Sequence, residues 1–147
     1  MSIIRCFTDG AAKNNNKNAS AGWAFYIPKY NIRQSGNIKG TNNQAELTAI
    51  KKLLTFIDRE NKQFEEYTQI LLFTDSKYCI NVLTGGKYLK NIELINSIFE
   101  IQKKINKQIK FKHVDAHTGN NDWVSKCNEI VDTLASTAAK NNKKNQQ

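Results

Sequence analysis

No apolar run among the 147 residues approaches the ~20 needed to cross a bilayer. Met1 leads into a strand-like segment instead of a secretory leader. Both absences point to an intracellular protein without a membrane partner, with cytoplasm and nucleus not distinguished. Cysteine is scarce: Cys6, Cys79 and Cys127 are odd in number, widely spaced and free of any Cys-x-x-Cys, which argues for reduced thiols against a disulfide framework or a zinc knot. Histidine occurs twice; His113 and His117 have zinc-like spacing, but they fall on a strand and a loop, not on one helix face. Acidic residues are few, 13 against 22 Lys and Arg, so the net charge is +9 and the pI about 9.5. Such a balance favours attraction to a polyanion, most often nucleic acid. No internal repeat and no second domain is visible. The length suits one domain, taken as residues 1–140, followed by a polar basic tail, 141–147.

What the chain does have is a repeated strand ending. Ile3-Ile4-Arg5-Cys6-Phe7-Thr8-Asp9-Gly10 and Gln69-Ile70-Leu71-Leu72-Phe73-Thr74-Asp75-Ser76 are both apolar, β-prone runs that close on Phe-Thr-Asp. Side by side they bring Asp9 and Asp75 to one edge of a sheet. Two converging aspartates repel, and a divalent cation is the natural remedy.

The remaining elements follow in order. Strands are expected at Gly22–Ile27 and Tyr30–Ile38, joined by a turn at Pro28-Lys29-Tyr30-Asn31. Thr41, Asn42 and Asn43 suit a helix start, and Leu47, Ile50, Leu54 and Ile57 mark its apolar face. Glu46 borders that face, four residues before Ile50. A polar connection, Asn61–Tyr67, leads into the second Phe-Thr-Asp strand, which a helical crossover makes parallel to the first. Ser76 can cap a short helix over Lys77–Leu83, and a longer one runs from Ile92 to about Asn106, with Lys103, Lys104 and Lys107 on its solvated side. The last strand, Ile109–Val114, alternates apolar with basic residues, so one of its faces is wet. His117 lies in the polar loop beyond it and can titrate near neutrality. In the final helix, Trp123–Ala139, Asp132 has small neighbours, Ala135 and Ser136, that let the helix approach another backbone.

Asp9, Glu46, Asp75 and Asp132 thus stand at element ends or inner faces. Gathered together they suit Mg²⁺, which prefers carboxylate oxygens. Two such ions suit in-line phosphodiester cleavage. Five segments then resemble, in order, the signatures of type 1 ribonuclease H. They are Thr8-Asp9-Gly10-Ala11, Thr41-Asn42-Asn43-Gln44-Ala45-Glu46-Leu47, Thr74-Asp75-Ser76-Lys77-Tyr78, Ala116-His117-Thr118-Gly119 and Cys127-Asn128-Glu129-Ile130-Val131-Asp132-Thr133-Leu134-Ala135. One match would be weak; five in sequence over residues 3–139 are specific.

The resemblance implies an α/β, ribonuclease H-like fold: a five-stranded mixed sheet flanked by helices. It implies an endonuclease that cuts the RNA strand of RNA–DNA hybrids with two Mg²⁺ ions, Mn²⁺ being the alternative, and leaves 5′-phosphate and 3′-hydroxyl ends; the chain's brevity, separately, suits a monomer. By motif, Asp9, Glu46, Asp75 and Asp132 become the metal ligands and His117 the residue assisting proton transfer or product release. Thr41 and Asn42 match positions that hold a DNA phosphate, and Asn43 and Lys77 match positions that approach the hybrid's bases and riboses. Recognition of RNA should rest on its 2′-hydroxyls.

Two departures from the family pattern bear on binding. Thr84-Gly85-Gly86-Lys87-Tyr88-Leu89-Lys90 is too short for the basic, tryptophan-bearing protrusion of many members, and no separate N-terminal hybrid-binding module is expected. Lys87, Lys90 and the Lys13–Lys17 loop are the cations left to compensate. Two rivals differ in kind: a DNA-cutting nuclease or recombinase on the same fold, and a binding module that has lost its chemistry. The Thr41-Asn42-Asn43 signature speaks against the first, and the full set of four carboxylates against the second.

Overall fold

Alternating apolar residues make β1 (Ile3–Ala12), and in the computed structural model, which describes residues 2–14, 16–116 and 118–141, β1 is the middle strand of five. β2 (Ser20–Ile27) and β3 (Ile32–Lys39) continue as an antiparallel meander. Then come α1 (Asn42–Arg59), β4 (Gln69–Thr74), α2 (Lys77–Leu83), α3 (Ile92–Lys104), β5 (Gln108–His113) and α4 (Trp123–Lys140). The sheet order is β3-β2-β1-β4-β5, with β4 parallel to β1 and β5 parallel to β4. The expected five-stranded mixed sheet flanked by helices is therefore present, including the parallel crossover through α1. Of the expected basic tail, only Asn141 lies among the described residues.

Strand alternation sorts the core into two layers. Ile4 and Cys6 of β1, Phe25 and Ile27 of β2, and Ile70 and Leu72 of β4 face α1 and α3, meeting Leu47, Ile50, Leu53, Leu54, Ile95 and Ile98. Phe7, Ala24, Tyr26 and Phe73 face the other way, toward Cys127, Val131 and Ala135 of α4. Phe7 and Phe73 are register partners and stack at 4.6 Å, 8° from parallel. All three cysteines are free and buried.

Three local expectations are corrected. The third strand begins at Ile32, not Tyr30, because Pro28–Tyr30 forms a 3₁₀ turn that Asn31 closes in the left-handed region at φ 52°. The connection at 61–67 is not simply polar, since Phe64 is fully buried and Tyr67 nearly so. Lys107 is not a solvated cation either. Its ammonium donates to the carbonyls of Phe64 and Tyr67, at 2.6 Å each, and so ties that connection down. Among the described residues no helix is long and apolar enough to cross a membrane.

α4 approaches β2 and β3 backbone to backbone, as its small residues suggested. The Ser20 hydroxyl donates to the Ala139 carbonyl, and Asn37 Nδ2 donates to Ala138 O at 2.9 Å. Gly22 makes this possible: a Cβ there would fall on the Ala135 carbonyl oxygen and the Ala139 amide. Gly22→Ala should therefore destabilise the chain by roughly 1–3 kcal/mol, the usual range for overpacking, as read from urea unfolding. An unchanged midpoint would show that α4 can lift without cost.

Candidate active site

Three elements deliver the carboxylates to one place. Asp9 lies two residues past Phe7 on β1, and Asp75 two past Phe73 at the end of β4, so the pairing that stacks the two phenylalanines also sets the aspartates side by side. The turn after β4 is held tightly: the Thr74 hydroxyl accepts from Ser76 N at 3.1 Å, and the Ser76 hydroxyl caps α2 by accepting from Cys79 N at 3.1 Å.

Glu46 arrives from α1. Thr41 is the N-cap, its hydroxyl accepting from Gln44 N at 3.2 Å while Gln44 Oε1 accepts from Thr41 N at 2.9 Å, a reciprocal capping box. Asn42 Oδ1 accepts from Ala12 N at 2.7 Å and ties the helix start to the end of β1. Gly10 allows the close approach, because a Cβ there would meet the backbone at Ala45 and Glu46. Gln44 Nε2 donates to Asn91 Oδ1 at 3.2 Å, and Asn91 Nδ2 to Tyr78 OH at 3.0 Å, so α1, α2 and the start of α3 form one network beside the site. Sequence reasoning missed Gln44, Tyr78 and Asn91 as positioning residues. The Thr-x-x-Gln capping pattern was the signal for Gln44; nothing local marks the other two.

Oxygens of Asp9, Glu46 and Asp75 all lie within 4.8 Å of one another. Asp132 of α4 borders the same open pocket, of about 410 Å³, together with Asn42, Asn43, Lys77 and Tyr78. The structure thus brings together all four carboxylates and places Asn42, Asn43 and Lys77 at their rim. Thr41 is one residue away with its hydroxyl engaged in the cap. His117 lies outside the described residues. His113 faces Asp115 at 3.8 Å, half-buried on β5.

Electrostatically this is a crowded place for negative charge. Burial, then the charge of Asp75 and more weakly that of Asp132, push the Asp9 carboxyl up to about 8, against the lowering pull of a hydrogen bond from Glu46 and of Gly10 N–H at 2.8 Å. Glu46 is raised well above the ordinary range by burial first and then by Asp9 and Asp75. Its Oε1 is buried with no hydrogen-bond partner. A buried carboxylate oxygen without a partner is costly. Three convergent carboxylates around it form a hard-oxygen donor set that fits a divalent cation.

Fold and site together place the chain among α/β nucleases, and comparison with known proteins narrows this. The sequence profile of the family described as RNase H matches residues 2–140. Ribonuclease H of Tropheryma whipplei is 34% identical over 148 residues, covering 91% of this chain and 83% of that protein. Ribonuclease H of Campylobacter concisus is 32% identical, covering 95% and 94%. Among solved structures, the N-terminal RNase H domain of a Mycobacterium tuberculosis protein, determined as a fusion with maltose-binding protein, covers both chains fully with a TM-score of 0.74 at 17% identity, a likeness of fold. The chain belongs to the ribonuclease H family of enzymes.

A pH dependence follows from the crowding. With divalent cations chelated, the folded chain keeps protons on Asp9 and Glu46 that the unfolded chain has released by about pH 4 to 5. The folded state then binds more protons, so this contribution is fully present below about pH 4 and is lost as pH rises toward 8. Asp9→Asn should melt higher than the unsubstituted chain at pH 8 in EDTA, with the gap closing toward pH 4. A gap independent of pH would contradict the assignment.

Proposed function

We propose that the chain hydrolyses the RNA strand of RNA–DNA hybrids within a catalytic unit spanning residues 1–140. Asp9, Glu46, Asp75 and Asp132 would hold two Mg²⁺ ions, for which Mn²⁺ can substitute. The observation that carries this reading is the convergence of Asp9, Glu46 and Asp75 within 4.8 Å around a buried, unpartnered Glu46 oxygen. The name ribonuclease H borne by relatives of similar length supports the substrate class. When bound, the two ions would supply an activated water and offset charge on the departing 3′ oxygen, leaving 5′-phosphate and 3′-hydroxyl ends.

The chain's own residues do the rest. Glu46 and Asp9 would give up the protons that burial and mutual repulsion keep on them and present anionic oxygens to the cations. The hydrogen-bonded turn at Thr74–Ser76 fixes the direction of Asp75, and the Thr41–Gln44 box fixes that of Glu46. Asn42 and Asn43, at the helix start beside the pocket, are placed to donate to phosphate and base edges, a common role for helix N-termini. Lys77 supplies a cation at the same rim. Thr41 contributes to phosphate binding through the helix start that it caps. His117 is assigned proton transfer or product release by motif alone. The surplus of cations over the whole chain draws the polyanion in, while the acidic pocket concentrates the metal. A monomer satisfies all of these roles.

Cleavage of four end-labelled duplexes and strands in Mg²⁺ tests the reading: RNA–DNA hybrid, double-stranded RNA, double-stranded DNA and single-stranded RNA. Cutting confined to the RNA strand of the hybrid, and stopped by EDTA, is expected; cutting of DNA would overturn the substrate class. Asp9→Asn and Asp75→Asn should each lower the rate by more than about a hundredfold, since even partners one layer behind metal ligands cost 10–100-fold. Hybrid binding should remain measurable in both. Retained cleavage in either variant would contradict the ligand assignment.

A further inference from the structure

α4 packs across β1, β2 and β3 and reaches Phe73 of β4, and Gln69 is buried too, whereas Leu71 is half-buried and the β5 positions on that sheet face are exposed. The strand positions left at least partly open on this face are Ile3 and Arg5 on β1, Leu71 on β4, and Gln108, Lys110 and Lys112 on β5, because Ile109 and Phe111 turn to the opposite core. Arg5, Lys110 and Lys112 are exposed, and Arg5, Leu71 and Lys110 lie in one register row. Below Asp9 and Asp75, no strand position on this face of β1, β4 or β5 carries a carboxylate. Beside the row a pocket of about 560 Å³ opens between Ile3, Arg5, Pro28, Lys29 and Trp123. Trp123 rests edge-on against Phe7 at 5.5 Å yet stays 49% exposed.

We propose that this face binds single-stranded nucleic acid, with a base against Trp123 in the pocket and phosphates on Arg5, Lys29, Lys110 and Lys112. An exposed aromatic next to a row of cations is the usual composition of a single-strand platform. Lys110 and Lys112 point the same way two residues apart, roughly 6.6 Å at the rise of a strand, a spacing that suits successive phosphates of an extended chain. The row also leads to the site: Lys112 pairs with Phe73, two residues before Asp75. Resting on the proposed hybrid cleavage, the natural occupant is the unpaired continuation of a strand engaged at the carboxylates. An acidic protein segment would satisfy the charges but has no need of the regular repeat along β5.

The test uses the full chain and a fluorescent oligothymidylate of about 12 nucleotides, read by anisotropy in EDTA, so that no cleavage is involved. The pair Lys110→Glu with Lys112→Glu should weaken binding by about tenfold or more and flatten the dependence of log affinity on log salt by about 1.4, the value for two phosphate contacts on a single strand. Trp123→Phe should keep part of the affinity and Trp123→Ala less. In Mg²⁺, a single-stranded extension on a hybrid should lower KM for the unsubstituted chain and not for the double variant, with blunt-hybrid cleavage equal in both. Unchanged oligonucleotide affinity would overturn the proposal, as would an equal loss of blunt-hybrid cleavage or displacement by a tryptophan-containing oligoglutamate. Failure to cut any hybrid, with oligothymidylate binding intact and lost in the double variant, would sink the proposed reaction and leave this surface standing.

Discussion

Mutual repulsion among carboxylates at the end of a buried sheet is the constraint on which the rest of the structure depends. Asp9 and Glu46 are both removed from water and both face Asp75. Isolated buried charges of this kind would normally neutralise by taking up protons, and the raised carboxyls of Asp9 and Glu46 show that tendency. A site that pays such a penalty in the absence of cations is strongly biased toward binding them. The instability is therefore part of the function: the fold keeps oxygens apart from water so that a hard cation can take water's place.

Holding the cluster together requires rigid supports behind each member. Asp9 and Asp75 inherit their proximity from the β1–β4 register, reinforced by the Phe7–Phe73 stack beneath them. Glu46 depends on the helix start, where the Thr41–Gln44 box and the Asn42 bond to Ala12 fix both the position and the direction of α1. At Gly10 and Gly22 a helix comes so near a strand that no side chain fits, α1 at the first and α4 at the second. Asp132 is carried by the second of these contacts. The capping bond to the Thr41 hydroxyl and the bond from Ala12 N to the Asn42 carbonyl oxygen give both residues a structural role beside the substrate role proposed for them.

Much of this was legible in the chain because it is written in short-range patterns. The duplicated Phe-Thr-Asp ending announced the paired aspartates, and the spacing of Glu46 from Ile50 announced an inward-facing acid. Ser76 ahead of Lys77–Leu83 announced a cap, and α2 occupies those residues. What stayed hidden depends on tertiary partners. Phe64 looked like part of a polar connection because its neighbours are polar, yet its ring fills a gap beside Tyr30 and Phe56. Lys107 looked solvated because only the folded chain brings carbonyls from 43 and 40 residues away to its ammonium. Asn91 and Tyr78 meet Gln44 across three helices, and no local signal encodes that meeting. The exposed face of β5 was half visible, as a basic alternation along Ile109–Val114, but the pocket beside Arg5 and Trp123 became evident only in the fold.

The most direct test of the central claim is the proton count on metal binding. Titration calorimetry of Mg²⁺ or Mn²⁺ into the chain near pH 7, repeated in buffers of different ionisation enthalpy, reports protons released per cation bound. The carboxylate cluster predicts net release, because Asp9 and Glu46 retain protons until a cation displaces them, and it predicts that the Asp9 share of the release fades as pH rises past about 8. Binding with no proton release at pH 7 would mean that the carboxylates are already fully ionised, and the constraint proposed to organise the site would not exist.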